Sequence, residues 1–581
     1  TVRSGTLADT SRLVASIDSA SRTWAERVND ALVDSLGEVE GRRVWSIVAP
    51  TVPADYVARV RPEAAVGDLV NVEAMLSAAN DITTSFGRSV DAVDGEWRFR
   101  VFLRDRPTTI AELVPTLEYL GLPPLDEHPS VFVGASATVH LNDIGVKMSA
   151  LTITDEQHAE VQLAFIDLMT GRLEADGLNR LVLSAGLDRR QIALLRLYKR
   201  YLRQASIPFS AEYVEEAIVR HPEIARGLVS LFDTKFDPRR TDITAPNDRA
   251  AAVERCRADL HQLLDAIPSL DDDRICRAFL TLIDATDRTN AFVGRPEISV
   301  KLRPHDVGFL PEPRPEFEIF VCSPFVEGVH LRGGRIARGG LRWSDRPEDF
   351  RTEVLGLVKA QMVKNAVIVP TGAKGGFVLK RPTTTPEEQR AEGVTCYRAF
   401  IAGLLDLTDN LVDGAIVAPP STVRYDGDDP YLVVAADKGT ATFSDTANGI
   451  AIDRDFWLGD AFASGGSVGY DHKAMGITAK GAWISVQRHF LEMGTDVQTQ
   501  PIRVVGCGDM SGDVFGNGML LSKTLKVVAV FDHRHIFIDP DPDPAKSWAE
   551  RQRMFDLPRS SWDDYDRKLM SKGAMIVPRM Q

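Results

Sequence analysis

Ile502-Arg-Val-Val-Gly506-Cys-Gly508-Asp-Met-Ser511-Gly512 is an apolar strand pattern that runs directly into a glycine-rich turn. A helical stretch follows, and Leu525-Lys-Val-Val-Ala-Val-Phe-Asp532 is a second apolar strand pattern that ends in an acid. This order of strand, glycine turn, helix and strand is typical of a Rossmann-type dinucleotide-binding domain. Because such a domain needs about 150 residues and the sequence ends at Gln581, we expect only its first half here.

The glycine turn supplies the candidate cofactor-binding residues. Glycine permits a tight turn and close approach of the backbone to a pyrophosphate, and the following helix N-terminus supplies amide donors. Asp532 can accept hydrogen bonds from ribose hydroxyls, which favours NAD over NADP. Asp539 is an alternative for this role, because the sequence does not fix the last residue of the strand. The residues assigned to the dinucleotide are therefore Gly506, Gly508, Ser511, Gly512 and Asp532.

The hydrophobic period changes several times along the chain, which predicts a multidomain α/β protein. With 581 residues the chain is too long for a single core. We predict a helical segment at 1–90, a compact βαβ module at 91–150, a helical module at 151–293, an α/β domain at 294–470, a connecting helix at 471–499 and the partial Rossmann domain at 500–581. The βαβ module suits either ligand sensing or packing alone.

A second group of glycines and lysines lies between residues 338 and 376. The chain there reads Arg338-Gly-Gly-Leu-Arg-Trp, then Lys359-Ala-Gln-Met-Val-Lys364-Asn, then Pro370-Thr-Gly-Ala-Lys374-Gly-Gly. Glycine pairs let the backbone approach a small ligand, and burial beside a second cation lowers the pKa of a lysine. A lysine on a glycine-rich loop near another lysine predicts amine or carbonyl chemistry on a small anionic substrate.

The bulk composition excludes several classes of function. The net charge is −14 and the sequence pI is about 5.4, which argues against non-specific binding to nucleic acid or to a membrane surface. We find no apolar run long enough to span a bilayer. Five scattered cysteines form no CxxC pair, which favours reduced thiols in the cytoplasm. Asp271-Asp-Asp273 and His533-Arg-His535 are typical of solvated element ends, so we predict no metal site.

From about residue 295 onward the chain resembles the large-subunit class of bacterial NAD-dependent glutamate dehydrogenases. The sequence motifs that carry the resemblance are Arg338-Gly-Gly-Leu-Arg-Trp-Ser-Asp-Arg, Val363-Lys-Asn, Thr371-Gly-Ala-Lys-Gly-Gly, Tyr425-Asp-Gly-Asp-Asp-Pro-Tyr, Ala435-Ala-Asp-Lys-Gly-Thr-Ala-Thr-Phe-Ser-Asp, Gly465-Gly-Ser-Val-Gly-Tyr-Asp-His-Lys and Phe531-Asp-His-Arg-His-Ile-Phe-Ile-Asp-Pro. The upstream part also looks like that class, which places ACT-like and helical modules before its catalytic domain.

The resemblance implies roles for particular residues. Lys374 matches the catalytic lysine, Lys364 matches the lysine that holds the substrate α-carboxylate, and Asp437 matches the aspartate that moves protons on the substrate nitrogen. Asp428 and Asp429 are rivals for the role of Asp437. Arg338, followed by Gly339 and Gly340, stands where the small hexameric enzymes have a lysine for the side-chain carboxylate, and an arginine can clamp a carboxylate bidentately. Thr478 resembles the threonine that contacts the nicotinamide carboxamide.

The reaction that the resemblance implies is reversible oxidative deamination of L-glutamate to 2-oxoglutarate and ammonium with NAD. An uncharged Lys374 would activate water and Asp437 would carry protons, in an enzyme that is a homo-oligomer. Two alternatives stay open from the sequence. One is another amino-acid dehydrogenase of the same superfamily that acts on an apolar substrate, and the other is a catalytically silent fragment or regulatory binding module.

Overall fold

The computed structural model of the 581-residue chain describes residues 22–77, 80–88, 96–148, 153–240, 246–364, 369–437, 440, 442–467 and 472–579. The chain divides into two compact units. The first comprises residues 1–432 and 437–439, and the second comprises residues 433–436 and 440–581. In the described residues no helix is both long enough and apolar enough to cross a bilayer.

From residue 22 onward, the described part of the first unit starts with four helices, α1 to α4, at Trp24–Leu36, Glu38–Val48, Ala54–Arg59 and Pro62–Ser77. Within the described part of the predicted helical segment 1–90, the helices end at Ser77 and a strand follows before residue 90. Strand β1 (Ile82–Gly87) pairs with the next strand along its whole length, so the sheet module starts before residue 90. The sequence Ile-Thr-Thr-Ser-Phe-Gly is short and half polar, which hides its strand period.

The second module is a four-stranded antiparallel sheet in the order β1-β2-β4-β3. Its other elements are β2, α5, β3 and β4, at Glu96–Arg104, Ile110–Tyr119, Pro124–Val133 and Thr138–Lys147. Strands β2 and β3 both run antiparallel to β4, which lies between them. The predicted βαβ unit (β2, α5, β3) is thus present in a split form, with β1 and β4 as additional strands.

The third module is helical, as residues 151–293 predict. Its helices α6 to α12 are Asp155–Met169, Leu181–Ala185, Arg189–Gln204, Ala211–Arg220, Pro222–Phe236, Pro246–Asp265 and Leu270–Ala285. Its last residues depart from the prediction, because Thr286–Thr289 forms strand β5 of the next sheet. The segment Thr-Asp-Arg-Thr is entirely polar yet fully buried, so hydrophobic periodicity could not reveal it.

A mixed sheet in the order β10-β11-β8-β7-β6-β5 forms the centre of the predicted α/β domain, with β9 paired to β11. Its remaining strands β6 to β11 are Ile298–Leu302, Phe317–Cys322, Val326–Arg332, Ala337–Arg338, Leu341–Trp343 and Thr371–Leu379. Helices α13 (Phe350–Lys364) and α14 (Pro386–Leu405) pack on this sheet. A small hairpin of β12 (Asn410–Val412) and β13 (Ala415–Val417) follows.

The second unit starts earlier than the predicted boundary at residue 470. Residues 440–470, which the sequence assigned to the α/β domain, cluster with the nucleotide-binding elements. They contain α15 (Ser444–Asp453) and β15 (Ala463–Ser464). Strand β15 pairs in parallel with β14 (Val434–Ala435) over two residues. The chain returns to the first unit for residues 437–439, so this segment, which begins with Asp437, is preceded and followed in sequence by residues of the second unit.

The half-Rossmann pattern forms as predicted. Helices α16 (His472–Met475) and α17 (Ile477–Glu492) precede a four-stranded sheet in the order β16-β17-β18-β19. Strands β16 and β17 are parallel, whereas β18 and β19 are added antiparallel. The bounds of β16 to β19, with α18 and α19 between them, are Ile502–Cys507, Leu525–Phe531, His535–Ile538, Met575–Pro578, Asp513–Gly518 and Pro544–Asp556.

Candidate active site

Lys374 lies on a strand, not on the glycine-rich loop that the sequence predicts. It is the fourth residue of β11, which pairs antiparallel with β8 on one side and parallel with β9 and β10 on the other. The side chain is only 5% exposed. A strand fixed on both edges holds this amine more rigidly than a loop would.

Asp437 is the acid that contacts Lys374. The Lys374 Nζ atom lies 2.5 Å from the Asp437 Oδ2 atom, and the Asp437 side chain is 21% exposed. The two residues are far apart in the sequence, and the structure brings them together as the resemblance implies. A buried ammonium and a carboxylate in direct contact can exchange a proton, which is the elementary step of acid–base catalysis.

The glycines around Lys374 serve protein packing. Gly339 and Gly340 lie opposite Ala373 and Lys374, because Arg338 pairs with Gly372 and Leu341 pairs with Gly375. A Cβ atom on Gly375 would meet Leu341 at 2.4 Å, and one on Gly376 would meet Val354 of α13 at 2.7 Å. The expected approach to a small ligand is therefore not what excludes side chains at Gly375 and Gly376.

Arg342 is a site residue that the sequence reasoning missed. Its Nε atom donates to Asp437 Oδ2 at 3.0 Å, and its Nη1 atom donates to Glu353 Oε1 at 2.8 Å. Glu353 Oε2 in turn accepts from the hydroxyl of Ser344 at 2.6 Å. Arg342 belongs to the motif Arg338-Gly-Gly-Leu-Arg-Trp, but its connection to the site becomes visible only from its hydrogen bond to Asp437. Without Asp437 in place, the sequence offers no signal for this contact.

The charges in this group favour their ionised forms. Burial lowers the pKa of Arg342, but the hydrogen bonds and charges of Glu353 and Asp437 outweigh it, so the net shift is upward. Burial raises the pKa of Glu353, yet the hydrogen bonds from Ser344 and Arg342 hold it below its ordinary value. Two cations and two carboxylates thus meet at this end of β11.

The rival acids are engaged elsewhere. Asp429 is buried and its carboxylate bonds the side chains of Arg332 and Lys301. Burial raises its pKa, but these two cations bring it well below the usual range. Asp428 is exposed and pairs with Arg424 at 3.0 Å. Asp429 and Asp428 thus have cationic partners of their own, whereas Asp437 contacts Lys374, so the geometry favours Asp437.

Arg338 and Lys364 are the two residues expected to bind the substrate carboxylates. Arg338 ends strand β9 directly before Gly339, is half-buried, and makes no ion pair with any residue in the described ranges. Lys364 is the last residue of α13, but its side chain lies outside the described part of the structure.

In the second unit, hydrogen bonds with Asp509, inside the turn, and with Trp562, far along the chain, stabilise the glycine turn. Asp509 Oδ1 accepts from the amides of Ser511 at 2.9 Å and Gly512 at 3.0 Å. Gly508 has φ +139°, and the indole Nε1 atom of Trp562 donates to its carbonyl at 2.8 Å. Two of the amides expected to face a pyrophosphate are thus already bonded within the turn.

Asp532, and not Asp539, lies at the end of the sheet that carries this turn. Asp532 follows β17 directly, and its Oδ1 atom accepts from the amides of Arg534 and His535. Its Oδ2 atom is buried and has no hydrogen-bond partner among the described residues. Asp539 follows the antiparallel strand β18, so it lies beside the middle of β17, where its amide donates to Val528 and both its carboxylate oxygens bond Ser571.

This arrangement fits a dinucleotide. An unpartnered, buried carboxylate oxygen at the carboxyl end of β17 is suited to accept hydroxyl donors of a ribose. Thr478 is the second residue of α17. It is exposed, and α17 packs against α18, the helix that follows the turn.

Three side chains near the turn form a group that could hold a metal ion. One oxygen or nitrogen atom from each of Asp509, Asp532 and His533 lies within 4.8 Å of the other two, and the sequence did not indicate this group.

The chain is similar to known proteins over nearly its whole length. The family model described as bacterial NAD-glutamate dehydrogenase, catalytic domain, matches residues 259–581. Models for glutamate dehydrogenase helical motif 3 and for the glutamate dehydrogenase ACT3 domain match residues 173–238 and 81–159. These matches agree with the helical module and the split βαβ module described above.

Three relatives share one name, NAD-specific glutamate dehydrogenase. The chain is 50% identical to that of Pseudomonas aeruginosa, 49% to that of Mycobacterium tuberculosis and 46% to that of Halomonas elongata. Each comparison covers 98% of this chain but only 36% of the relative. The chain thus spans about a third of the length of the relatives it matches.

Proposed function

The chain belongs to the bacterial NAD-glutamate dehydrogenase family, and from this premise we propose that it carries the residues for reversible oxidative deamination of L-glutamate to 2-oxoglutarate and ammonium. The observation that carries the proposal is the contact of the buried Lys374 amine with the Asp437 carboxylate at 2.5 Å. Both residues lie in sequence motifs of the family, and the pair has the proton donor and acceptor that the reaction needs.

Lys374 acts as the base toward water and Asp437 as the proton carrier of the substrate nitrogen. A proton that passes from the Lys374 ammonium to the Asp437 carboxylate leaves an uncharged amine, which can then take a proton from an attacking water molecule. When the leaving nitrogen needs a proton, the same pair can return one. Proton transfer by such positioned groups contributes about 10²–10⁴-fold to a rate.

The remaining residues of this group bind the substrate and the cofactor. Lys364 and Arg338 hold the two carboxylates of L-glutamate, and the backbone of Gly339 and Gly340 borders the same place. The absence of an ion-pair partner for Arg338 within the described ranges supports this role, because an unpaired guanidinium can still accept a carboxylate bidentately. Selectivity for a dicarboxylic substrate follows from these cations.

NAD, when bound, accepts the hydride that leaves the substrate Cα. The turn at Gly506, Gly508, Ser511 and Gly512 places backbone close to the dinucleotide, and Thr478 lies near it on α17. The free oxygen of Asp532 accepts from the ribose hydroxyls. Because this carboxylate would repel a 2′-phosphate, we propose a preference for NAD over NADP.

The test is NADH formation from NAD with L-glutamate, beside an apolar amino acid such as L-leucine, in the chain and in the full-length protein. We expect turnover with glutamate only. Faster turnover with leucine would favour another amino-acid dehydrogenase. Titration of the isolated chain with NAD, followed by protein fluorescence, separates a competent cofactor site from a silent fragment, which would not bind.

We also propose that the protein is a homo-oligomer of the cytoplasm. All five cysteines are free thiols, as is usual for proteins of a reducing compartment. Light scattering of the purified full-length protein measures its mass directly, and a monomeric mass at working concentration would overturn the oligomer. Fractionation of cells that make the protein tests the compartment.

A further inference from the structure

One oxygen of Asp437 accepts from two cations at once. Asp437 Oδ2 receives Lys374 Nζ at 2.5 Å and Arg342 Nε at 3.0 Å. We propose that Arg342 is a positioning residue, which orients the Asp437 carboxylate toward Lys374 and keeps it ionised for proton transfer. The proposal rests on the proposed function in one respect, namely that Asp437 and Lys374 exchange a proton during turnover.

Arg342 itself is fixed from its other end. Its Nη1 atom is bonded to Glu353 on α13, and Glu353 is bonded to Ser344. The amide of Ser344 donates to the carbonyl of Phe377 on β11 at 2.9 Å, and Arg342 pairs with Gly376 on the same strand. The backbone of Arg342 is thus held by the strand that carries Lys374, and its guanidinium is bonded to the helix that precedes that strand.

An arginine is the side chain that this geometry requires. Its Nε and Nη1 atoms donate to two different carboxylates, and the planar guanidinium keeps the directions of both bonds fixed. A lysine has a single nitrogen on a flexible stem, so it could replace the charge but could not hold Glu353 and Asp437 apart in the same way. Arg342→Lys should therefore restore part of the electrostatic effect without the full rate.

The sign of the electrostatic effect is set by charge. Loss of the positive charge in Arg342→Gln disfavours the carboxylate of Asp437 and disfavours loss of a proton from Lys374. The acidic limb of the kcat/KM profile should then move upward by about 1 pH unit or more. Glu353→Gln keeps one oxygen that can accept from Arg342 but removes a negative charge, so it should move the same limb downward.

Arg346 offers a matched control. It lies four positions after Arg342, is about half exposed, and pairs only with Asp349 in the described residues. Arg346→Gln should leave the pH profile where it is. A general loss of stability would lower turnover in any of these variants, but it would not move the profile in opposite directions for Arg342→Gln and Glu353→Gln.

A second readout does not depend on glutamate turnover. Acetic anhydride reacts with uncharged amines, so the pH dependence of Lys374 acetylation, followed by peptide mass spectrometry, reports its protonation directly. We expect its midpoint to rise in Arg342→Gln, to rise less in Arg342→Lys, to fall in Glu353→Gln and to stay unchanged in Arg346→Gln. These shifts can appear even if the wild-type protein proves to act on a different amino acid, in which case only the proposed function fails.

The result that overturns the inference is equally specific. If Arg342→Gln lowers turnover while both the kcat/KM profile and the acetylation midpoint stay with those of Arg346→Gln, Arg342 is only a structural residue. If Arg342→Gln does not fold, Glu353→Gln carries the test, since its amide oxygen can still accept from Arg342. An unmoved or upward midpoint in Glu353→Gln would then reject the proposal.

Discussion

A Cβ atom on Gly339 would lie 1.5 Å from the carbonyl oxygen of Ala373. The segment that joins β9 to β10 therefore touches β11 backbone to backbone, one residue before Lys374. No rotation of a side chain can relieve such a contact, because the obstacle is main chain. The position of Lys374, the proposed catalytic lysine, thus depends on a residue that carries no functional group.

We expect Gly339→Ala to force β9 and β10 away from β11. Overpacking of this kind costs about 1–3 kcal/mol, and misplacement of a catalytic group by about 1 Å can cost roughly 10²-fold in rate. We predict a loss of kcat of that order, measured in the glutamate assay with the fold checked by circular dichroism.

Gly356→Ala is the matched control for this change. Gly356 lies inside α13, and a Cβ atom there meets nothing within 4 Å. Alanine in a helix interior should stabilise the protein by about 0.5–1 kcal/mol and leave kcat unchanged. Equal activity of the two variants would show that the close contact at Gly339 is dispensable.

Lys374→Ala should abolish turnover and leave the fold intact. The lysine supplies the base toward water, and such groups contribute about 10²–10⁴-fold. Lys359→Ala is the control, since Lys359 is an exposed lysine on the neighbouring helix. The measurement is kcat for glutamate in the full-length protein, and a kcat within twofold of wild type in Lys374→Ala would contradict the assignment.

Asp532→Asn should weaken NAD binding and relax the choice between NAD and NADP. The lost charge-assisted hydrogen bonds are worth about 1.5–3 kcal/mol, or roughly 10–100-fold in Kd. Affinity for NADP should fall less, because the repulsion of its 2′-phosphate disappears. Titration of both cofactors by calorimetry gives the ratio.

A nearby acid serves as the comparison for Asp532. Asp541 is exposed and pairs with Lys526 at 2.6 Å, so Asp541→Asn should leave both affinities as in wild type. The ribose assignment fails if Asp541→Asn and Asp532→Asn give the same Kd for NAD. Asp539→Asn, by contrast, breaks bonds to Ser571 and should act on stability.

His330 should make the first unit sensitive to acid. It is 1% exposed on β8, opposite Gly375, and neither ring nitrogen has a hydrogen-bond partner among the described residues. Burial, with a smaller effect of Arg332, lowers its pKa from 6.5 to about 3. Between these values the unfolded chain binds a proton that the folded chain does not, so stability falls as pH falls.

The contribution of His330 is at most about 1.4 kcal/mol per pH unit below pH 6.5. In His330→Leu the free energy of unfolding, measured by urea denaturation at about pH 7 and about pH 5, should change less with pH than in wild type. His305→Leu is the control, since its side chain is 59% exposed. A slope in His330→Leu equal to that of wild type would refute the account.

The sequence predicted most of what depends on local pattern. The glycine turn after β16 and the acid after β17 follow from hydrophobic period and turn residues, and the structure has them. The pairing of Lys374 with Asp437 came from family resemblance, since no local rule links residues so far apart. Their contact is a consequence of tertiary packing.

Two kinds of feature could not be predicted. Strand β5 is polar and buried, because its side chains form buried ion pairs and hydrogen bonds with distant residues such as Asp409, and periodicity detects only apolar burial. The sequence predicts that the glycines of β11 approach a ligand, because sequence alone cannot distinguish a ligand from a neighbouring strand or helix. Arg342 was overlooked for the same reason.

The buried charges beside the sheet restrict how this protein can change over time. Arg288, Lys301 and Arg332 share the carboxylates of Asp409, Asp426 and Asp429, with side chains almost wholly buried. Replacing one member leaves an opposite charge stranded, at a cost of about 3–5 kcal/mol. Divergence at these six positions must therefore proceed through compensated double exchanges, so they are inherited together as one unit.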